Sequence, residues 1–316
     1  MDSNNQKDCS AEPMDGVSPN EHIPVLAETL TEYIHLPKDG IFVDATVGHG
    51  GHSRLFGSQL GPEGILVGLD VDPKSLQTAQ ANLAGLPCRI ILIRENFSRL
   101  DEVLNKQGIQ QVDCILADLG FCSAQVADPQ RGMSFQVDAP LDMRLDNRLG
   151  ISASDIVNKM PEKQLADLIF KYGQERASRR IARFIVDNRV KQKFYTTGQL
   201  AMIICKALGQ PATGRHSRIH PATRTFQALR IAVNEELECL KTLLKDAVGR
   251  LKKGGILAII SFHSLEDGMV KEDFRQHKAD GTYEILTKKP LIADEKEVRM
   301  NPRSRSAKLR IARKIV

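Results

Sequence analysis

"GIFVDATVGHGGHSRLFGSQL" (residues 40–60) is a short apolar run, a glycine-broken turn and the start of a helix. Glycines at such a turn let the chain bend sharply and let backbone N–H groups approach a ligand. The spacing Gly48-x-Gly50-Gly51 is part of a dinucleotide-binding fingerprint and lacks its last glycine. Alone it is also what a structural turn looks like. Its surroundings add weight. "GILVGLD" (64–70) is a second buried strand, ending in Asp70 about twenty residues after the glycines. In folds of this kind an acid there grips ribose hydroxyls. The competing role for Asp70 is a cap on the helix that opens at Pro73, and Asp72 could fill it instead.

Working outward, "PKSLQTAQANL" (73–83) is helical, with Pro73 tolerated in the first turn. "CRIILIREN" (88–96) and "VDCILAD" (112–118) are the third and fourth strands. Strands alternating with helices at this spacing predict βαβ units and a parallel sheet buried on both faces. From about Pro129 the alternation stops. Leu165, Leu168, Ile169 and Tyr172 form one apolar stripe, and 178–190 and 197–208 are further helices. Next, Phe226, Leu229, Val233, Leu237, Leu240 and Leu244 step by threes and fours, which predicts one long helix over roughly 223–250, stopped by "KKGG". "GILAIISF" (255–262) resumes the sheet, and "TYEILTK" (282–288) with "AKLRIARKIV" (307–316) predicts a closing hairpin.

The 316 residues suit one large domain or two ordinary ones, and 41% hydrophobic content suffices for a proper core. The polar start, residues 1–20, lacks the apolar centre of a secretory signal and is expected to be a disordered tail. No apolar run approaches the roughly 20 residues of a membrane span, so no membrane partner is expected. The six cysteines show no C-x-x-C spacing. That suggests neither a zinc site nor a disulfide framework, and reduced thiols fit a cytoplasmic protein.

These features fit either NAD or S-adenosylmethionine. The fourth strand tilts the choice. Asp118 closes it and is followed by "LGFCSAQ" (119–125), where open α/β sheets do their chemistry. Hydride transfer needs no carboxylate there. Methyl transfer to an exocyclic amine could use one, because the amine lone pair is delocalised into the ring. An acceptor that holds its N–H favours attack on the sulfonium methyl. Asp118 is therefore the candidate catalytic residue, its competing role being a cap on the next turn.

"HIPVLAETL", "DATVGHGGHSR", "ADLGFCSAQ", "RGMSF", "PLDMR", "HPATRTFQALRI" and "GGILAIISFHSLED" together resemble the bacterial RsmH (MraW) family. These are methyltransferases acting on N4 of a cytidine in the decoding centre of small-subunit ribosomal RNA, and the resemblance spans about residues 21–316. It implies an α/β class I (Rossmann-like) S-adenosylmethionine-dependent core, 21–128 and 218–316, interrupted by a helical substrate-recognition insert, 129–217. It implies cofactor contacts from Gly50, Gly51, His52, Asp70, Phe97, Asp118 and Gln125. It also implies a small-subunit ribosomal RNA or assembled-subunit partner; the sequence shows no metal-ligand cluster and the reaction needs no metal, so none is expected. Read without it, Phe97 would be core, His52 a helix-start residue and His263 a satisfied structural histidine. The sequence departs from the family at "GFCSAQ", where "GVSSPQ" is usual: Cys122 replaces a serine and Ala124 a proline.

The insert carries the RNA argument. Residues 171–193 hold eight Lys and Arg against Glu175 and Asp187, a net +6 beside +5 for the whole chain. Phosphate binding needs such a concentrated field, although a solvated helix face also produces one. "GRHSRIHPATR" (214–224) adds a second basic segment. Two rivals remain at this stage: a cytosine-C5 methyltransferase with Cys122 as nucleophile, and a non-catalytic RNA-binding assembly factor. The oligomeric state, a homodimer included, stays open.

Overall fold

The structure is a computed structural model that describes residues 24–121, 128, 130–210 and 220–316. Among them the parallel strands β1 (Ile41–Asp44), β2 (Ile65–Asp70), β3 (Arg89–Arg94), β4 (Val112–Asp118) and β5 (Leu251–Ser261) are followed by β6 (Tyr283–Ile285) and β7 (Lys308–Lys314). The sheet order is β3-β2-β1-β4-β5-β7-β6, and β7 runs antiparallel to both neighbours. This is the expected class I architecture. The strand order reverses at β1 and β4, so the crevice for a ligand opens between their carboxyl ends.

Alternation along each strand divides the core. On one face Val43, Val67, Leu69, Ile115, Ala117, Leu257 and Ile259 are buried under α4 (Leu100–Lys106), α10 (Glu236–Arg250) and α11 (Ser264–Ala279). On the other, Phe42, Leu66, Cys114, Leu116, Ala258 and Ile260 pack under α2 (Gly51–Gly57), α3 (Pro73–Leu83) and the segment around α1 (Ala27–Thr31). A parallel sheet covered on both sides needs apolar residues at successive positions, which is why these strands read as unbroken apolar runs.

A third cluster belongs to the insert: α5 (Ala153–Lys159), α6 (Glu162–Gly173), α7 (Ser178–Arg189), α8 (Thr197–Leu208) and α9 (Thr223–Val233). Phe226, Leu229 and Val233 of α9 pack with Leu165 and Ile169 of α6, not with the sheet.

Two expectations change. The single helix over 223–250 is two, α9 and α10, separated by Asn234 and by Glu235 in a left-handed conformation (φ 51°). The apolar stripe runs through the break, but its halves cover different cores. "KKGG" is not a stop before a strand at 255. It lies within β5, whose register against β4 slips between Val112↔Leu251 and Cys114↔Ile256. The slip is a bulge that absorbs the extra residues, with Gly254 at φ 84°. A short helix α12 (Glu295–Met300) lies between β6 and β7, so these strands pair without a tight turn. No helix among the described residues is long and apolar enough to cross a membrane.

Candidate active site

At the carboxyl ends of β2, β3 and β4, Asp70, Glu95 and Asp118 stand around one cleft. Its larger lobe, about 300 Å³, is lined by Asp70, Asn96 and Phe97 from the core and by Leu145, Leu149 and Asn234 from the insert side. A smaller lobe of about 60 Å³ is lined by Gly48, Gly51, His52, Asp70 and Asp118. Thr46, Asp70, Gly120 and Phe121 border both lobes.

The glycine turn is shaped from beneath. Asp44, fully buried, accepts Ser53 Oγ at 2.7 Å and the Thr46 amide at 3.2 Å. Burial raises its pKa. Gly50 sits at φ 86°, and a Cβ there would meet Leu83 at 3.2 Å. Gly50 thus serves the turn and the packing of α2 on α3, whereas Gly51 reaches the cleft.

Asp70 and Asp72 divide the two roles that the sequence left between them. Asp72 caps α3, accepting the Lys74 amide at 3.2 Å. Asp70 accepts the Gly48 amide at 3.0 Å and the Asp72 amide at 2.8 Å, which fixes the carboxylate across the mouth of the glycine turn. A carboxylate offers about four acceptor positions, so capacity remains toward the cleft. Burial pushes its pKa up to about 6 against the pull of those two amides, with Asp72 and Asp44 adding like charge. Phe97 begins a short 3₁₀ turn capped by Asn96 and is half-buried, touching the sheet core on one side and the larger lobe on the other.

Asp118 is held by its backbone, whose amide donates to Thr46 Oγ1 at 2.7 Å, while its Oδ1 accepts the Gly120 amide at 3.3 Å. Gly120 is there because the Phe262 ring lies against it; a Cβ would meet that ring at 2.6 Å. His52 is buried, with Nε2 2.8 Å from the Val25 carbonyl. A carbonyl only accepts, so Nε2 carries a hydrogen, and in the neutral ring Nδ1 is then the acceptor. That Nδ1 lies 4.0 Å from Asp118 Oδ2, too far for a hydrogen bond and close enough to share one ligand. The structure therefore brings Gly51, His52, Asp70, Phe97 and Asp118 to one cleft. Gln125 and Cys122 lie outside the described residues.

Several lining residues went unread in the sequence. Glu95 and Asn96 follow the end of β3 and could have been found by the logic that singled out Asp70 and Asp118. Asn234 and Glu235 could not, because the apolar periodicity passes through them. Asn234 accepts the Leu145 amide and donates to the Met143 and Arg230 carbonyls, each within 2.9 Å. Along the wall of the larger lobe, Glu236 and Glu266 join His263 to bring three ligand-type atoms within 4.8 Å of one another. Arg230 already holds Glu236 through two bonds of 2.8 and 2.9 Å and lies over the Phe121 ring at 4.1 Å. His263 caps α11 and sits 3.2 Å from Glu266. These carboxylates are occupied by protein partners, and His263 is structural.

The family model described as the MraW methylase family matches residues 19–315. The protein named ribosomal RNA small subunit methyltransferase H from Syntrophobacter fumaroxidans is 45% identical over 309 residues, covering 93% of this chain and 96% of its own length. Its namesake from Acaryochloris marina is 47% identical over 294 residues, covering 93% and 94%. The match spans both halves of the sheet, the insert between them and every strand end that borders the cleft, and on it the chain belongs to the MraW methylase family.

Proposed function

We propose that the protein transfers a methyl group from S-adenosylmethionine to N4 of a cytidine in the decoding centre of small-subunit ribosomal RNA. The observation that carries this reading is the pairing of Asp118 with His52 Nδ1 in the small lobe, which opens beside Asp70 into a lobe of nucleoside size. The cofactor supplies an electrophilic methyl on a sulfonium. Asp70 would receive its ribose hydroxyls, Phe97 would border its adenine, and Gly51 would let backbone approach its other end. An exocyclic amine has two N–H groups. Asp118 Oδ2 accepts one and His52 Nδ1 the other, which aims the nitrogen at the methyl. When the cofactor gives up its methyl to the nitrogen, one of these acceptors would take the proton that the amine loses. The cytidine must leave its stack to reach this lobe.

The basic surface of α6 and α7 supports an RNA partner, and we assign substrate recognition to residues 129–234, since α9 packs with the insert. The test is methyl transfer from labelled cofactor to small subunits at several assembly stages, with the product nucleoside identified by mass spectrometry. N4-methylcytidine is expected. C5-methylcytidine would favour the cysteine mechanism, and no cofactor binding would favour a non-catalytic assembly factor.

A further inference from the structure

Phe170 exposes its aromatic ring within the basic surface of the insert. Phe170, in the last turn of α6, is 59% exposed, while Leu165 and Ile169 of the same helix are fully buried. It borders a hollow of about 420 Å³ at the junction of α6 and α7, whose other walls include Asp167, Arg176, Arg179 and Arg180. All three arginines are exposed. The hollow's carboxylate, on Asp167, stands 3.9 Å from Arg179 with both side chains in solvent, a pairing worth little. Three guanidinium groups and one acid leave the hollow cationic around a flat apolar face.

The helix that carries Phe170 is also tied to the core near the chemistry. One turn beyond Phe170, Gln174 accepts Ser264 Oγ at 2.9 Å. Ser264 opens α11 just past β5, whose Ile260 is the register partner of Asp118. The end of α6 is thereby fixed at the strand-end side of the sheet, where the cleft lies.

We infer that this hollow is an RNA subsite for one unpaired nucleotide flanking the target cytidine. Its base stacks on Phe170, and its phosphates meet Arg176, Arg179 and Arg180. Any base presents a π face, so the contact positions the strand without reading sequence, and the guanidinium planes add to the stack. The inference rests on the RNA substrate proposed above.

The test uses the full chain and purified small ribosomal subunits, with affinity measured across a range of salt concentration. Phe170→Leu keeps apolar bulk and removes the ring. It should weaken binding on the order of tenfold to a hundredfold, leaving the salt slope and cofactor affinity unchanged, and Phe170→Trp should bind like the parent. Arg179→Gln combined with Arg180→Gln should flatten the slope of log affinity against log salt by roughly 1–2. If the parent binds subunits with a steep salt slope and Phe170→Leu binds equally well, the stacking subsite is wrong while the RNA reading stands. If the parent neither binds nor methylates subunits, that reading fails and the subsite with it.

Discussion

At the residue scale, Asp72, two positions on, takes the capping work and leaves Asp70 available for the ribose contact proposed above. Asp70→Ala should therefore weaken S-adenosylmethionine binding by about 1–3 kcal/mol, the worth of lost charge-assisted hydrogen bonds; calorimetry on the folded variant checks it. The raised pKa of Asp70, about 6, adds a pH signature. Ribose hydroxyls donate, so they favour the ionised carboxylate, and binding must expel any proton Asp70 holds. Affinity should thus be level well above pH 6 and fall as pH drops through it, with proton release on binding measurable near pH 6 in buffers of different ionisation heat. For folding the sign is opposite: a carboxylate whose pKa is raised in the fold costs stability as pH rises from its ordinary range to about 6, and that cost stays constant above. The chemistry divides Asp118 from Cys122. Asp118→Ala should be nearly inactive in a methyl-transfer assay, with cofactor binding measured alongside. Cys122→Ser should keep most activity, because direct transfer to an amine needs no thiolate. A trapped thiol adduct on 5-fluorocytidine RNA would reverse that assignment.

At the element scale, the break between α9 and α10 is where the insert meets the cleft. Asn234 replaces helix continuity with three side-chain hydrogen bonds and tethers the segment that carries Leu145. Asn234→Ala should lower stability by about 1–3 kcal/mol, the cost of unpairing buried polar groups, and weaken cofactor binding with it, as thermal unfolding and calorimetry would show. The basic segment is also not uniform. Arg189 turns inward and donates to the Val157 and Met160 carbonyls at 2.8 and 2.7 Å, whereas Arg179, Arg180 and Arg183 are exposed. Replacing those three with Gln should weaken subunit binding and flatten its salt dependence, while Arg189→Gln should lower the unfolding midpoint and leave the salt slope alone. Charge counting along the chain could not separate the two groups, because a helix shows which residues are cationic and only packing shows which way they turn.

At the scale of the whole molecule, ion pairs clasp the sheet to the first stretch of the insert. Arg131 meets Asp72 at 2.9 Å and donates to the Leu145 carbonyl at 2.8 Å, and Arg94 lies 3.6 Å from Asp146. Arg131→Ala, at a residue that lines neither lobe, should loosen the wall of the larger lobe and shorten the lifetime of bound cofactor, measurable by stopped-flow displacement. The sequence by itself determined the alternating α/β core, its interruption by a helical insert, and the acids at the ends of β2 and β4. Those features are local: a buried parallel strand must be apolar throughout, and a ligand crevice must open where such strands end. Only the tertiary structure decided that the apolar stripe from 223 to 250 serves two cores, that Asn234 and Leu145 wall the cleft, and that His52 offers Nδ1 to the space shared with Asp118. Each of these depends on groups brought together across long stretches of chain, such as Val25 fixing the His52 tautomer or Met143 receiving Asn234. Periodicity records which residues are buried; it carries no record of what buries them.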